Sequence, residues 1–521
     1  MTRLACAEAA HEAGDLSVAE SLYRAILAVD PNHARALHNL GVIALRTRHP
    51  AAAEKLLRRA IALDPAMVEA HSNLGLALSG IGLGSEARTS FEQAVSLSPS
   101  YAEAWSNLAI LDQSEGHTIA AIAKFRCALA ADSGRPEIAG NLGAALIEAG
   151  EVEEGADILA QLLPCMPRSA AIQFNIGKAR FLQGRLAEAI AFLRQAIVIE
   201  PEFADAHHTL AHALLASGQL EEGWREYEWR WRAKNFRVPP RDFAFPRWRG
   251  EPVVGKRVLL WSEQGIGDKL LFAGLLPEFV ALGADVTVEI EGRLVSLFRR
   301  SFPGIRVVAR ADQPDRSLLS GRFDFQAPLG DLPRYLRPSL TGFLPIGAYL
   351  AADANRTAEL RRRYAAEHLP LIGIAWASRP PKGLPLQDFA PLLQIPGIRW
   401  VNLQYGDHAQ EIAQAQDKLG IRIVTDASVD PLADFDGSVA QTAALDAVVT
   451  IQNATLYTAA GLGLPTFALT PPEPDWRWFG AEHSPWHDSV RLYRRDIGND
   501  KAATLARLAE DLKSWLDQRP R

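Results

Sequence analysis

Cysteine is scarce in this chain of 521 residues. Cys6, Cys127 and Cys165 are too few for a disulfide framework and lie too far apart for a zinc cluster. A reducing, cytoplasmic setting is therefore expected. Long apolar runs are missing too. Residues 447–472 carry no charge over about a membrane's length, but Gln452, Asn453 and several Thr, Gly and Pro would break a spanning helix. That stretch reads as a buried strand–helix–strand, and no integral membrane segment is expected. A secretory leader is not expected either, because Glu8, Glu12 and Asp15 interrupt the first residues before an apolar core forms. Neither sign of charge dominates: 55 Lys and Arg against 61 Asp and Glu leave a net charge of −6. That is no footprint for a nucleic-acid partner. What is present is an ordinary globular balance, 48% hydrophobic and 22% charged, which excludes disordered, collagen-like and coiled-coil chains. At roughly 150 residues per domain, the length allows three or four units.

An internal period organises the N-terminal half. Proline recurs at Pro31, Pro65, Pro99, Pro167 and Pro201, with Ser133 in the skipped slot of a 34-residue spacing. Asparagine keeps the same step at Asn39, Asn73, Asn107, Asn141 and Asn175, each followed two residues later by Gly or Ala. Small residues recur at Ala19, Ala53, Ala87, Ala121, Gly155 and Ala189, where paired helices would approach closely. Several tracks on one period resemble the tetratricopeptide repeat, a helix–turn–helix unit of that length. Five clear repeats run over 34–201 with degenerate copies on either side, as capping requires. Such solenoids offer a groove for a protein partner. The five asparagine amides are candidate acceptor-binding groups, a ladder able to hold an extended polypeptide; the alternative is hydrogen bonding of each amide within its own helix pair. His207, His208 and His212 lack an acidic or cysteine partner and are expected to pack.

Four aromatics at Trp224, Tyr227, Trp229 and Trp231, then Pro239-Pro240 and Pro246-Arg247-Trp248, suggest a junction over 236–255. Beyond it, strands alternate with helices: strand Arg257–Trp261, a glycine loop over 262–268 and a helix over 269–282. Strands follow at 286–290 and 305–308. A second series begins at 371–376 and continues with strands 399–403, 421–424, Ala447–Ile451 and 466–469. Alternation of this kind means parallel sheets. The expected organisation is a solenoid over 1–235, the junction, and two doubly wound domains over 256–345 and 346–521 that face a cleft. Gly265-Ile266-Gly267 lacks the third glycine of a dinucleotide fingerprint, since Leu270 stands there, and no Gly-Lys-Ser/Thr phosphate loop occurs.

Particular motifs carry a closer likeness. Trp261-Ser-Glu-Gln-Gly-Ile-Gly-Asp268 with Leu270-Leu-Phe resembles the first loop of heptosyltransferase-like, family 9-like glycosyltransferases of the GT-B fold. Gly373-Ile-Ala-Trp376, Leu384-Pro-Leu386, Val401-Asn-Leu-Gln-Tyr-Gly-Asp407, Asp475-Trp-Arg-Trp478 and Ser484-Pro-Trp486 fit the same group. The layout is similar to that of protein O-glycosyltransferases, including O-GlcNAc transferase and bacterial flagellin glycosyltransferases. The resemblance implies a nucleotide-sugar substrate against the C-terminal sheet and Asp268 as catalytic base beside the loop glycines Gly265 and Gly267. Arg379, Lys382, Gln404, Gln452, Asn453, Ala454 and Thr455 are the implied donor-binding residues. The helix beginning near Asn453 can offer backbone N–H groups to donor phosphate, Arg379 and Lys382 can add positive charge, and Gln404 can contact base or ribose.

Simpler roles stand beside these. Asp268 and Asn453 can be helix caps, Arg379 and Lys382 solvated loop charges, Trp376 and Trp478 packing residues. The chain departs from the family where many relatives have Asp, Asn or Thr, and a His four residues on: here stand Gln452, Asn453 and Tyr457, and Lys269 replaces an acidic residue. Asp434-Phe435-Asp436 resembles a glycosyltransferase metal motif, but it precedes a helix and reads as a cap, so no metal and no cofactor are expected. The implied reaction is transfer of a sugar, with a nonulosonic acid as one candidate, to Ser or Thr of a protein acceptor such as flagellin. The alternatives are a lipopolysaccharide glycosyltransferase and a catalytically inactive repeat scaffold.

Overall fold

A computed structural model describes residues 2–236, 238–365, 369–378, 383–479, 483–495 and 501–519. The chain forms two compact units, residues 1–180 and 181–521.

In the first unit the 34-residue period becomes helix pairs. They are Arg3–Glu12 with Leu16–Val29, Ala34–Arg46 with Pro50–Leu63, Val68–Gly80 with Gly84–Leu97, Ala102–Ser114 with Thr118–Ala131, and Pro136–Ala149 with Val152–Leu162. Ala19, Ala53, Ala87 and Ala121 are fully buried, as expected where helices meet. A Cβ on Gly75 would sit 2.5 Å from the Phe91 ring, and one on Gly41 would sit 2.8 Å from Leu57 Cγ, so the small track sets how closely the helices pack. The turns inside the pairs reveal a further track. Gly14, Gly82, Gly116 and Gly150 all have φ between 81° and 93°, and Gly184 and Gly218 continue the series at 75° and 80°. The slot at 48 holds Arg48, exposed, at φ 60°. A side chain in the left-handed region is strained, and glycine there is not. Arg48→Gly is expected to raise the unfolding free energy of this unit by about 0.5–1 kcal/mol. A shift of the urea midpoint at unchanged slope checks it, and a lower midpoint would refute it.

The second unit opens on two further helices of the repeat series, Leu186–Ile199 and Ala204–Ala216, then Leu220–Glu226 and a tight turn Tyr227–Arg232. Two parallel sheets follow. The first contains β1 (Arg257–Trp261), β2 (Asp285–Glu291), β3 (Arg306–Arg310) and β4 (Phe325–Pro328) in the order β3-β2-β1-β4. The second contains β5 (Leu371–Ala375), β6 (Arg399–Asn402), β7 (Ile423–Val424), β8 (Ala447–Ile451), β9 (Thr466–Thr470) and β10 (Val490–Arg494) in the order β10-β9-β8-β5-β6-β7. That is the 3-2-1-4-5-6 order of doubly wound sheets, whose ligand crevice lies outside the strands' carboxyl ends. β5, β8 and β9 are buried along their whole length, as strands covered on both faces must be. Two strands escape the sequence pattern: β4, four residues ending in Pro328, and β10, which carries an exposed Arg at its second and last positions. The helix expected over 269–282 is two helices, Ile266–Ala273 and Leu276–Ala281, separated at Gly274 and Leu275 ahead of Pro277. Asp268 thus lies in a first helical turn rather than in the loop.

The aromatic residues around the junction serve this unit. Trp224 donates Nε1–H to the Arg337 carbonyl at 3.0 Å and meets the Trp476 ring edge-on at 5.5 Å. The 236–255 segment runs onto the β4 edge: Trp248 N donates to Gln326 O and Gln326 N to Pro246 O, both at 2.9 Å. A single hydrophobic core joins Leu215, Leu220, Trp224 and Tyr227 to β1, β2 and the helix Ile266–Ala273. The last repeat helices therefore belong to the sheet-bearing unit.

Candidate functional site

Parallel strands deliver their following loops to one end of each sheet, and in the second unit these ends line a cleft of about 590 Å³. Gly265, Ile266, Gly267 and Asp268 come from the end of β1, and Arg293 from beyond β2. Ser378 follows β5, Leu403 and Tyr405 follow β6, Gln452 to Thr455 follow β8, and Arg477 follows β9. Gly265 faces open space, whereas a Cβ on Gly267 would lie 2.8 Å from the Tyr457 ring. Gly267 is thus required by packing against Tyr457, which also stacks on Trp478 with ring centroids 6.1 Å apart. Burial pushes the Tyr457 phenol well above its ordinary range, so it is protonated and acts as a neutral wall.

The charges in the cleft are paired. Asp268 Oδ1 accepts from Arg477 Nε at 3.1 Å and Nη2 at 2.5 Å, and Arg477 Nη1 reaches both oxygens of Asp475 at 3.0 Å. Burial disfavours the Arg477 charge, but Asp268 and Asp475 outweigh it and hold its pKa well above the usual value. Gln452 donates Nε2–H to Asp475 Oδ2 at 2.5 Å, which leaves its buried Oε1 without a partner among the described residues. Asn453 is the N-cap of the helix Ala454–Gly461: its Oδ1 accepts from Thr455 N at 3.0 Å and Leu456 N at 3.4 Å. Two of the backbone donors expected to face a ligand are therefore taken. The Nδ2 of Asn453, itself a residue of the cleft lining, is buried and unpartnered among the described residues. Lys269 pairs with Glu291 at 2.6 Å, and Glu291 pairs in turn with Arg293 at 2.8 Å.

One residue expected to contact the donor lies off the cleft lining. Gln404 is not among the residues that line the cleft; its Oε1 accepts from Trp376 N at 3.0 Å and Ala377 N at 2.8 Å, and its Nε2 donates to the Tyr405 carbonyl at 3.1 Å. A buried amide engaged by backbone at both ends splints the β5 and β6 loops. Ala454 and Thr455 do line the cleft. Arg379 and Lys382 lie outside the described residues. Trp376 is buried, with Nε1 on Glu411 at 2.9 Å. Asp434 caps the helix Phe435–Ala443 through Gly437 N at 2.9 Å, and Asp436 pairs with Arg300, as the capping role requires.

Beneath the β1 loop lies a buried ionic network of residues far apart in the sequence. Arg230 Nη2 contacts Glu263 at 3.0 Å and Asp331 at 2.7 Å, while Arg247 Nε holds the other Asp331 oxygen at 2.8 Å. Gly330 is needed here, because a Cβ would overlap Glu263 Oε1. Burial pushes the Glu263 carboxyl up to about 7; Arg230 opposes the rise and Asp331 adds to it. Gln264, at φ 62°, donates to Tyr227 Oη at 2.5 Å, which ties the glycine loop to the last repeat. Arg230 stands among the junction's aromatics and lies over the Tyr227 and Trp231 rings.

In the first unit, three of the five asparagines donate to neighbouring helices instead of standing free. Asn39 Nδ2 donates to Tyr23 Oη at 3.0 Å, Asn73 Nδ2 contacts His38 Nε2 at 3.0 Å, and Asn107 Nδ2 donates to Ser72 Oγ at 3.3 Å. Asn141 is exposed and Asn175 half-buried. Each of these bonds reaches the preceding helix pair rather than the asparagine's own, so the first three amides tie adjacent repeats together, which neither the free ladder nor bonding within one pair anticipated. Asp112, Glu115 and His117 converge, but Arg88 and Lys124 already neutralise Asp112. Of the three histidines beside the last repeat, His207 stacks on Trp229 at 3.9 Å and His208 meets His212 at 4.5 Å, with burial lowering His208 to about 4.

Comparison with known proteins places this geometry in context. Residues 4–68, 39–102 and 112–173 match the family described as tetratricopeptide repeat, and 167–218 match TPR repeat. Repeats of this kind bind protein partners. Protein FlbA of Caulobacter vibrioides is 31% identical over 437 residues, spanning 73% of this chain and 73% of that protein. Among solved structures, the APC/C hetero-tetramer Cut9-Hcn1 is similar at 16% identity, over 43% of this chain and 44% of that one, with a TM-score of 0.39. Pseudomonas aeruginosa pilF is similar at 18% identity, over 38% of this chain and 90% of that one, with a TM-score of 0.35. Among the described residues no helix is long and apolar enough to cross a membrane.

Proposed function

We propose a function for a chain that belongs to the family of Caulobacter vibrioides Protein FlbA: transfer of a sugar from a nucleotide-sugar donor to Ser or Thr of a protein that the repeats recruit. On this reading the two sheets form a GT-B pair, and flagellin is a candidate acceptor, suggested by the resemblance in layout. The observation that carries it is the cleft at the carboxyl ends of both parallel sheets, where doubly wound folds hold their ligands. The start of the helix Ala454–Gly461, with the spare donor Asn453 Nδ2, suits a phosphate. Asp268, on the opposite wall, suits proton abstraction from the acceptor hydroxyl. No metal ligation is required of any of these residues.

A second reading rests on the Asp268–Arg477 ion pair. A carboxylate held by a guanidinium is a poor base, and with neutral Gln452 beside it the cleft could bind donor without turning it over. One experiment separates the readings. The purified chain is incubated with radiolabelled nucleotide sugars and an extract of its cells. Label on polypeptide supports the proposal, and label on lipid or polysaccharide supports a surface-glycan transferase instead. Donor binding without turnover supports the scaffold.

A further inference from the structure

One side chain in the cleft has a fixed hydrogen-bonding sense that the reaction does not use. Gln441, on the helix Phe435–Ala443, is 2% exposed, and its Nε2 donates to Tyr364 Oη at 3.1 Å and to the Asn402 carbonyl at 3.4 Å. Tyr364 cannot reverse this, because its own hydroxyl hydrogen goes to Asp426 Oδ2 at 2.9 Å. Asp426 stays charged: burial would raise it, but Ser428, Tyr364 and Arg363 outweigh that and draw it down to about 2. The carbonyl of Asn402 is likewise an acceptor only. Both neighbours therefore demand the amide N–H groups, so Gln441 presents Oε1, open to the cleft and without a hydrogen-bond donor among the described residues.

The surroundings say what that oxygen faces. Asn402 precedes Leu403, which with Tyr405, Pro431, Leu432 and Phe435 makes an apolar wall of the same cleft. An apolar wall beside one oriented acceptor suits a flat heterocycle with an N–H on its edge, and suits a phosphate or polyhydroxyl sugar poorly.

Resting on the nucleotide-sugar reading above, we infer that Gln441 reads the nucleobase: its Oε1 accepts a hydrogen bond from an N–H on the base edge. Tyr364 is a positioning residue that fixes the amide's orientation from Asp426. An acceptor that a ligand covers without pairing penalises any ligand that lacks the donor, which makes this a specificity device.

The test is calorimetric binding of UDP, CDP, ADP, GDP and abasic ribose 5-diphosphate to the full chain, as wild type, Gln441→Leu and Tyr364→Phe. The wild type should prefer one base at least about tenfold over the abasic compound, and methylation of that base's N–H should abolish the preference. Gln441→Leu should bring the preferred nucleotide to the abasic level and leave abasic affinity unchanged. Tyr364→Phe keeps the ring packing and should relax the preference several-fold, carrying the test alone if Gln441→Leu does not fold. Retention of full base preference by both variants, or by Tyr364→Phe alone in that case, overturns the inference without touching the nucleotide reading. Failure of every diphosphate to bind, abasic included, overturns both.

Discussion

Arg230→Met is expected to lower the unfolding free energy by about 3–5 kcal/mol, the cost of leaving buried charge without its partner. Arg230 is 1% exposed and touches both Glu263 and Asp331, themselves 2% and 6% exposed, so no water can replace the guanidinium. Arg247 compensates one oxygen of Asp331, and Glu263 has no such second cation among the described residues. The deficit should depend on pH. Glu263 is protonated more readily in the fold than in the unfolded chain, so stability is highest below its unfolded pKa and is lost as pH rises through about 7. Without Arg230 the folded pKa rises further and the loss extends to higher pH. The gap between variant and wild type should therefore be wider at pH 8.5 than at pH 5.5, and Glu263→Gln in the same chain should recover some of it, since the two residues are coupled. Chemical denaturation at the two pH values measures this. A gap that is small and flat with pH would show that Glu263 ionises without help from Arg230.

Asp268→Asn should reduce sugar transfer by at least about a hundredfold if Asp268 is the base, since general-base catalysis usually contributes 10²–10⁴. The amide keeps the shape and the helix position but cannot take a proton at neutral pH. Donor and acceptor affinities should barely move, because the lost interaction belongs to the transition state. The Arg477 pair adds a second readout. Its side chain and that of Asp268 are only 14% and 17% exposed, and Arg477 keeps Asp475, so the substitution should also cost about 1–3 kcal/mol of stability, the worth of a hydrogen bond to a charged group. Initial rates at saturating donor, with thermal unfolding of the same samples, separate the two effects. Near-normal turnover with a clear loss of stability would make Asp268 a structural anion for Arg477 and remove it from the chemistry.

Between them these residues mark where sequence reading stops. The repeat unit, its small-residue track and the start of each glycine loop are legible because their partners lie within about one period along the chain. Gly75 and Phe91 lie in paired helices of one repeat, and Asn73 meets His38 one period away. Helix ends are less legible: the break at Gly274, ahead of Pro277, divides a single expected helix into two inside an unbroken apolar pattern. Gln404 shows the opposite failure. A polar residue at a strand's carboxyl end suggests a ligand contact, but two backbone N–H groups of the neighbouring strand's loop lie closer.

By itself the sequence determined that this chain begins as a solenoid of helix pairs and continues as parallel strand–helix units, because periodicity and burial are properties of neighbours. Only the tertiary structure decided the chemistry of the cleft. Asp268 meets Arg477 across 209 residues, Arg230 meets Asp331 across 101, and Gln441 takes its orientation from Tyr364 across 77. No local pattern encodes such pairs. Their charges and amides are buried side by side because the parallel sheets bring the ends of distant strands together, and a buried polar group must find its partner there or stay unpaired.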